Sequence, residues 1–316
     1  MKTRVLLANP RGFCAGVDRA IDIVNQALKK FGPPIYVRHE VVHNKTVVQE
    51  LKSKGVIFVD ELSEVPQSSH VIFSAHGVSE KVEKEAAAFN LLSFDATCPL
   101  VTKVHNEVQR HVRAGRDIIL IGHEGHPEVE GTLGRHNPED SNSNIYLVQD
   151  EEEARSLYVS QPENLAYVTQ TTLSLDDTIC IVEILYEQFP KILKPKSDDI
   201  CYATQNRQDA VKSILNHCDY LLVIGSINSS NSRRLVELAL KNNIPSKLID
   251  NYDDINLNEL KDKKSIGITA GASAPQILLD QVTAYLMNKG AVLKNIEQDT
   301  IKENIVFSMP KELRKL

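Results

Sequence analysis

The sequence predicts an α/β protein with largely parallel sheets. Short β-rich runs alternate with helical periodicity along the whole chain. The segments richest in chemically useful side chains fall where strands give way to helices, the end of a parallel sheet at which ligands bind. One such turn, carrying a cysteine, recurs three times: Cys14 in NPRGFCAGVDRA, Cys98 in FDATCPLVTKVH and Cys201 in DDICYATQNRQ.

Taken in order, Arg4–Ala8 reads as a first strand, and Gly16–Phe31 as a helix with Val17, Ala20, Ile21, Val24 and Leu28 on one face. His70–Ser74 and Leu91–Asp95 read as strands. Pro99–Ala114 reads as a helix. Pro99 suits the first helical position, Val101, Val104, Val108 and Val112 share a face, and Gly115 is the stop. Asp117–Ile121, Leu165–Val168, Tyr220–Ile224 and Ser265–Thr269 read as strands, each followed by a polar loop and another helix. The tail holds a strand-like run, ENIVFSM. The three cysteine turns suggest three pseudo-equivalent units, 1–97, 98–197 and 198–316, the second break lying in KILKPKSDD and the last unit carrying the tail.

The 316 residues are 42% hydrophobic and 25% charged, ordinary usage for a globular protein. A net charge of −6 lacks the basic excess of a nucleic-acid binder. No apolar run reaches the length of a membrane span. The N-terminal apolar core, Val5–Ala8, is too short for a signal peptide, so a reducing compartment without structural disulfides is expected. Five cysteines, an odd number, also fit a disulfide framework poorly.

Each of the three recurrent cysteines precedes a helix, where the macrodipole and free N–H groups stabilise a thiolate. Three thiolates are one short of the four that saturate an iron–sulfur cluster, which would leave one metal open to substrate. Three thiolates with an open fourth position also suit catalytic zinc. A non-catalytic iron–sulfur sensor and a disulfide-linked binding protein are further possibilities. The first would need no phosphate-type loops, and the second would need export. Cys180, among Ile179, Ile181 and Val182, and Cys218, ending an apolar helix face, read as small core hydrophobes.

His43, His76 and His126 stand at strand ends. Each alone reads more readily as a hydrogen-bonded surface or core residue. Together they make a candidate anion pocket, because a protonated imidazole donates from both nitrogens. Glu128, at a helix start, reads either as a favourable dipole charge or, near a buried metal, as a proton donor. The loops GSINSSNS (225–232) and TAGASAP (269–275) offer hydroxyl, amide and N–H donors at helix N-termini, suited to phosphate or to ordinary capping. Neither has a Walker lysine, which favours a phosphorylated small molecule over ATP. Thr171 and Thr172 could donate to a substrate hydroxyl, while Ser174 reads as the next helix's cap.

Assembled, the segments ANPRGFCAGVDRAI, YVRHEVVHN, FSAHGV, FDATCPLVTKVH, GHPEVEGT, TQTTLS, DDICYATQNRQ, GSINSSNS, TAGASAP and the PKEL tail closely resemble the 4-hydroxy-3-methylbut-2-enyl diphosphate reductase family over nearly the whole chain. The resemblance implies three α/β units in a trefoil around a central 4Fe–4S cluster. It implies that Cys14, Cys98 and Cys201 hold three irons, the fourth being open. It assigns the diphosphate to His43, His76, His126, Ser229, Ser230, Asn231 and Ser273, proton donation to Glu128, and orientation of the substrate's hydroxyl end to Thr171. The implied reaction is the reductive dehydroxylation of this allylic diphosphate to isopentenyl and dimethylallyl diphosphate, in isoprenoid precursor biosynthesis. The electrons would come from ferredoxin or flavodoxin. With no transit peptide visible, a bacterial, cytoplasmic enzyme without nucleic-acid or membrane partners is expected.

Overall fold

The computed structural model describes residues 3–137, 142–294 and 301–314. In chain order the strands are β1 (Arg4–Leu7), β2 (Ile35–Arg38), β3 (Val56–Val59), β4 (His70–Phe73), β5 (Leu92–Asp95), β6 (Asp117–Ile121), β7 (Ile145–Val148), β8 (Leu165–Thr169), β9 (Tyr220–Ile224), β10 (Ser246–Ile249), β11 (Ser265–Ala270) and β12 (Val292–Leu293). The helices are α1 (Ala15–Phe31), α2 (Lys45–Ser53), α3 (Glu80–Ala88), α4 (Pro99–Arg113), α5 (Pro127–Leu133), α6 (Glu151–Ser156), α7 (Leu175–Gln188), α8 (Tyr202–Leu215), α9 (Ser230–Lys241), α10 (Leu257–Leu260) and α11 (Gln276–Asn288). Among the described residues no helix is long and apolar enough to cross a membrane.

Among the described residues every strand pair is parallel, in three sheets, so the expected α/β class is the one found. The chain divides into two compact units. One comprises Met1–Asp18, Val42–Glu50 and Tyr202–Val306; the other comprises Arg19–Val41, Leu51–Cys201 and Phe307–Leu316.

The first unit holds the five-stranded sheet β10-β9-β11-β1-β12. Alternation along its strands feeds two cores. Val5, Leu222, Ile224, Ile266 and Ile268 pack with Leu278, Val282 and Leu286 of α11 on one face. Leu6, Leu221 and Val223 pack with Val211 and Ile214 of α8 and Leu235 of α9 on the other. Both faces are covered, which is why YLLVI of β9 reads as one continuous apolar run. Each such side chain, fully buried, stabilises by about 1.5–3 kcal/mol relative to exposure.

The second unit holds the sheets β3-β2-β4-β5 and β7-β6-β8. Strand β6 is buried throughout, with Ile119 and Ile121 packed on Ile181, Ile184 and Leu185 of α7. Ile118 and Leu120 pack on Val104 and Val108 of α4 and on Val129 of α5.

The sheets and the tail depart from the sequence expectations. Strand β1, from the first stretch of chain, pairs with β11 and β12, so contiguous thirds do not describe the sheets. Strands β2, β3, β7, β10 and β12 go beyond the anticipated set; the first four are only four residues long and β12 only two. Residues 303–309 form no strand: Val306 is 91% exposed, and the segment is held by side-chain bonds instead of a ladder.

Candidate active site

In the first unit, β9, β11 and β1 are neighbours, so parallel pairing brings the loops after their carboxyl ends together. Gly12 N–H donates to the Ala270 carbonyl at 3.0 Å and Cys14 N–H to the Ala272 carbonyl at 3.3 Å. Ala272 N–H in turn donates to Asn231 Oδ1 at 3.0 Å. Ser273 Oγ donates to the His43 carbonyl at 2.8 Å and lies 3.4 Å from Ser229 Oγ. Ser229 also caps α9, its Oγ accepting from Ser232 N–H at 3.3 Å, so the capping role foreseen for this loop is present. A Cβ on Gly271 would stand 2.0 Å from Ser232 Oγ; only glycine lets the two loops approach this closely. The structure thus brings Cys14, His43, Ser229, Asn231 and Ser273 into one bonded group, with Ser230 beginning α9.

Cys14 immediately precedes α1. Burial pushes its thiol up, opposed by the N–H groups of Val17 and Gly16 and by the charge of Arg207. The helix-terminus effect expected of such a cysteine is present, but burial outweighs it.

In the second unit, β4 neighbours β5 and β6 neighbours β8. Cys98 is the cap residue of α4, with Pro99 behind it, and its N–H donates to the Ala75 carbonyl at 2.9 Å. That bond fixes the cysteine beside the His76 turn, where His76 Nδ1 is 3.2 Å from Ser74 Oγ. Helix α5 packs on the same turn: a Cβ on Gly131 would lie 3.2 Å from the Gly77 carbonyl carbon. The close approach sets the His76 and His126 rings edge to face at 5.8 Å. His126 caps α5 by accepting Glu128 N–H on Nδ1 at 3.1 Å. Nδ1 is therefore unprotonated, and His126 donates from Nε2 alone rather than from both nitrogens.

Glu128 is 3% exposed. Thr171 donates to it twice, N–H to Oε1 at 2.6 Å and Oγ–H to Oε2 at 3.0 Å. Burial pushes the carboxyl up to about 7; the two Thr171 bonds pull it down, and the nearby Asp199 charge pushes it further up. Burial outweighs the hydrogen bonds, so this is more than an exposed helix-dipole charge. Ser174 caps α7 as expected, accepting from Asp177 N–H.

Cys201 immediately precedes α8, but no strand leads into it. Irregular backbone after α7 returns to the end of β8, where Cys201 N–H donates to the Thr171 carbonyl at 3.0 Å. Asp199, buried and absent from the expected set, anchors this return. It accepts Thr169 N–H at 3.0 Å and the Lys103 ammonium at 3.0 Å. A second unforeseen residue is Arg207, fully buried in the first unit. Both lie inside the quoted motif DDICYATQNRQ, yet nothing local marks them as buried, because their partners are remote in sequence. Cys218 is buried as expected; Cys180 is exposed. The inward face of α7 is Thr178, Ile181, Ile184 and Leu185, and Cys180 falls off it.

The sequence profile described as LytB protein matches residues 5–287. The 4-hydroxy-3-methylbut-2-enyl diphosphate reductase of Stenotrophomonas maltophilia strain K279a is 60% identical over 310 residues, 98% of each chain. The reductase of that name from Xanthomonas euvesicatoria pv. vesicatoria is 59% identical over 311 residues, 98% of this chain and 97% of that one. Among solved structures, the E-1-hydroxy-2-methyl-but-2-enyl-4-diphosphate reductase from Plasmodium falciparum matches with a TM-score of 0.93 at 39% identity, covering 99% of this chain and 96% of that one. Shared sequence over nearly the full length, on the same fold, places the chain in the 4-hydroxy-3-methylbut-2-enyl diphosphate reductase family.

Proposed function

We propose that the protein converts 4-hydroxy-3-methylbut-2-enyl diphosphate to isopentenyl and dimethylallyl diphosphate. Two electrons and two protons enter, the allylic C–O bond breaks, and the oxygen leaves as water. The observation that carries this reading is Glu128, a buried carboxyl raised to about 7 and held by both donors of Thr171. A group with its pKa near the working pH is the best general acid, because it is both present in the acid form and able to release the proton.

Cys14, Cys98 and Cys201 are half-buried cysteines in no disulfide, each directly ahead of a helix. That donor chemistry fits a 4Fe–4S cluster with three cysteine ligands. Among the described residues no three His, Cys, Asp or Glu side chains are grouped to hold a metal ion. The three thiolates are therefore assigned by their chemistry and by the family rather than by a preformed chelate. When bound, the cluster supplies electrons and a Lewis-acidic open iron.

The chain's own residues then manage the proton. With the carboxyl protonated, its O–H donates to Thr171 Oγ, and the threonine hydroxyl hydrogen turns to the substrate's departing oxygen. The Thr171 N–H keeps Oε1 in place throughout, at 2.6 Å. Glu128 N–H also fixes the His126 tautomer, leaving Nε2–H to donate to an anion. His76 and His126 in the second unit, and His43, Ser229, Ser230, Asn231 and Ser273 in the first, are assigned to the diphosphate. Hydroxyls, a carboxamide and a helix N-terminus are the usual phosphate donors. Ferredoxin or flavodoxin is the proposed electron donor and the bacterial cytoplasm the proposed location.

The deciding experiment is anaerobic turnover of this substrate with a strong artificial reductant, paired with the visible spectrum and metal content. A brown, iron-containing protein that forms both products supports the reading. A colourless, zinc-containing protein without turnover refutes it.

A further inference from the structure

Arg207, on α8, is 0% exposed, and its hydrogen-bond partners lie within the first unit. Nε and Nη2 donate to the Gly12 carbonyl at 3.0 and 2.6 Å, and Nη2 also to the Phe13 carbonyl at 3.1 Å. Nη1 donates to the Ala203 carbonyl at 2.9 Å. Gly12 and Phe13 are the two residues ahead of Cys14, so the guanidinium grips the backbone that presents this sulfur. Lysine could not do this, because a single ammonium cannot span two consecutive carbonyls in a planar fork.

The charge of Arg207 is met by Glu303, from the irregular C-terminal segment. Its Oε1 lies 2.9 Å from Nη1 and its Oε2 3.3 Å from Nη2. Asn206 Nδ2 adds a further bond to Oε1 at 2.9 Å. The Arg207–Glu303 pair thus lies directly against the two residues that lead into Cys14. A buried cation without a counter-charge is strongly unfavourable, so the segment carrying Glu303 completes the site around the Cys14 loop.

We propose that Arg207 and Glu303 are positioning residues for the Cys14 thiolate. The guanidinium holds the loop and lends it positive charge; the carboxylate sets how much of that charge reaches the sulfur. This rests on the reading of Cys14 as a cluster ligand. Removing the negative charge of Glu303 leaves Arg207 uncompensated beside the cluster, and a positive charge favours the electron-rich, reduced state. Exchanging Arg207 for lysine keeps the charge but loosens the loop.

The test uses the anaerobic, iron-loaded protein. Glu303→Gln is expected to keep its iron and to shift the cluster's midpoint potential to more positive values. A purely structural role would not move that potential. Arg207→Lys is expected to release iron to a chelator about tenfold faster or more, given the worth of charge-assisted bonds. Glu259→Gln, an exposed charge in the same unit, serves as the control and should leave the potential where it is. If Arg207→Lys fails to fold, Glu303→Gln decides alone. An unmoved potential in fully loaded Glu303→Gln overturns this inference and leaves the cluster intact. A colourless wild type overturns the cluster and this inference together.

Discussion

Glu128→Gln separates a proton donor from a structural carboxylate by two independent readouts. The ordinary glutamate value is 4.5, and burial raises this one to about 7. That difference amounts to about 3 kcal/mol at about 1.4 kcal/mol per pH unit. Its sign follows from the raised value: the native state binds the proton more tightly than the unfolded chain. Below about pH 4.5 the carboxyl is protonated in both states and carries no penalty. As pH rises toward 7 the unfolded chain ionises first, and native stability falls. Above 7 both are ionised, and the full about 3 kcal/mol is lost. Glutamine does not titrate, and its amide can still satisfy Thr171. The variant should therefore gain on the wild type by about 3 kcal/mol between pH 4.5 and 8. Denaturant midpoints measured anaerobically at matched iron content and constant slope give this difference directly. The same protein should turn over roughly 100- to 10,000-fold more slowly. Parallel stability curves would refute the raised carboxyl, and near-normal turnover at full iron content would place the proton source elsewhere.

Other outcomes follow from the same geometry. Thr171→Val removes one of the bonds that lower the Glu128 value, so turnover should fall and the alkaline limb of the pH–rate profile should move to higher pH. Asp199→Asn removes the charge that raises it, so that limb should move to lower pH, measured under the same anaerobic assay. Serine at Cys14, Cys98 or Cys201 should abolish the iron–sulfur absorbance or leave it labile, whereas serine at the exposed Cys180 should leave both spectrum and melting temperature unchanged. Gly134→Ala should destabilise by about 1–3 kcal/mol in denaturant titration, because its Cβ would lie 2.1 Å from Ser79 Cβ.

The strands most legible in the sequence were the fully buried ones. Asp117–Ile121 and Tyr220–Ile224 carry continuous apolar runs bounded by turns, and their limits match the structure. Four-residue strands such as Val56–Val59 carry too few residues for a period to show. The helix starts after Cys14, Cys98 and Cys201 were legible because proline, alanine or a polar turn sets them locally. The strand before Cys201 was wrongly expected because DDIC resembles a strand end; the backbone is brought there instead by Asp199 binding Thr169 N–H. Glu128 could be named from its motif, but not its burial, which depends on Thr171 on a different loop. Arg207 and Glu303 were illegible for the same reason: their pairing spans 96 residues, and neither sits in a pattern that marks a buried charge.

The place of β1 in the sheet sets a timetable. Arg4 pairs with Ser265 on one side and Val292 on the other, so both neighbours of the first strand are made long after it. At about 5–20 residues per second, β1 waits roughly 10–50 s before either partner leaves the ribosome. The Cys14 loop, held by the Ala270 and Ala272 carbonyls that follow β11, takes its final shape only then. On the proposed assignment of Cys14 as a cluster ligand, metal loading there follows the synthesis of β11, and a nascent chain lacking that strand carries this thiol without the backbone that presents it.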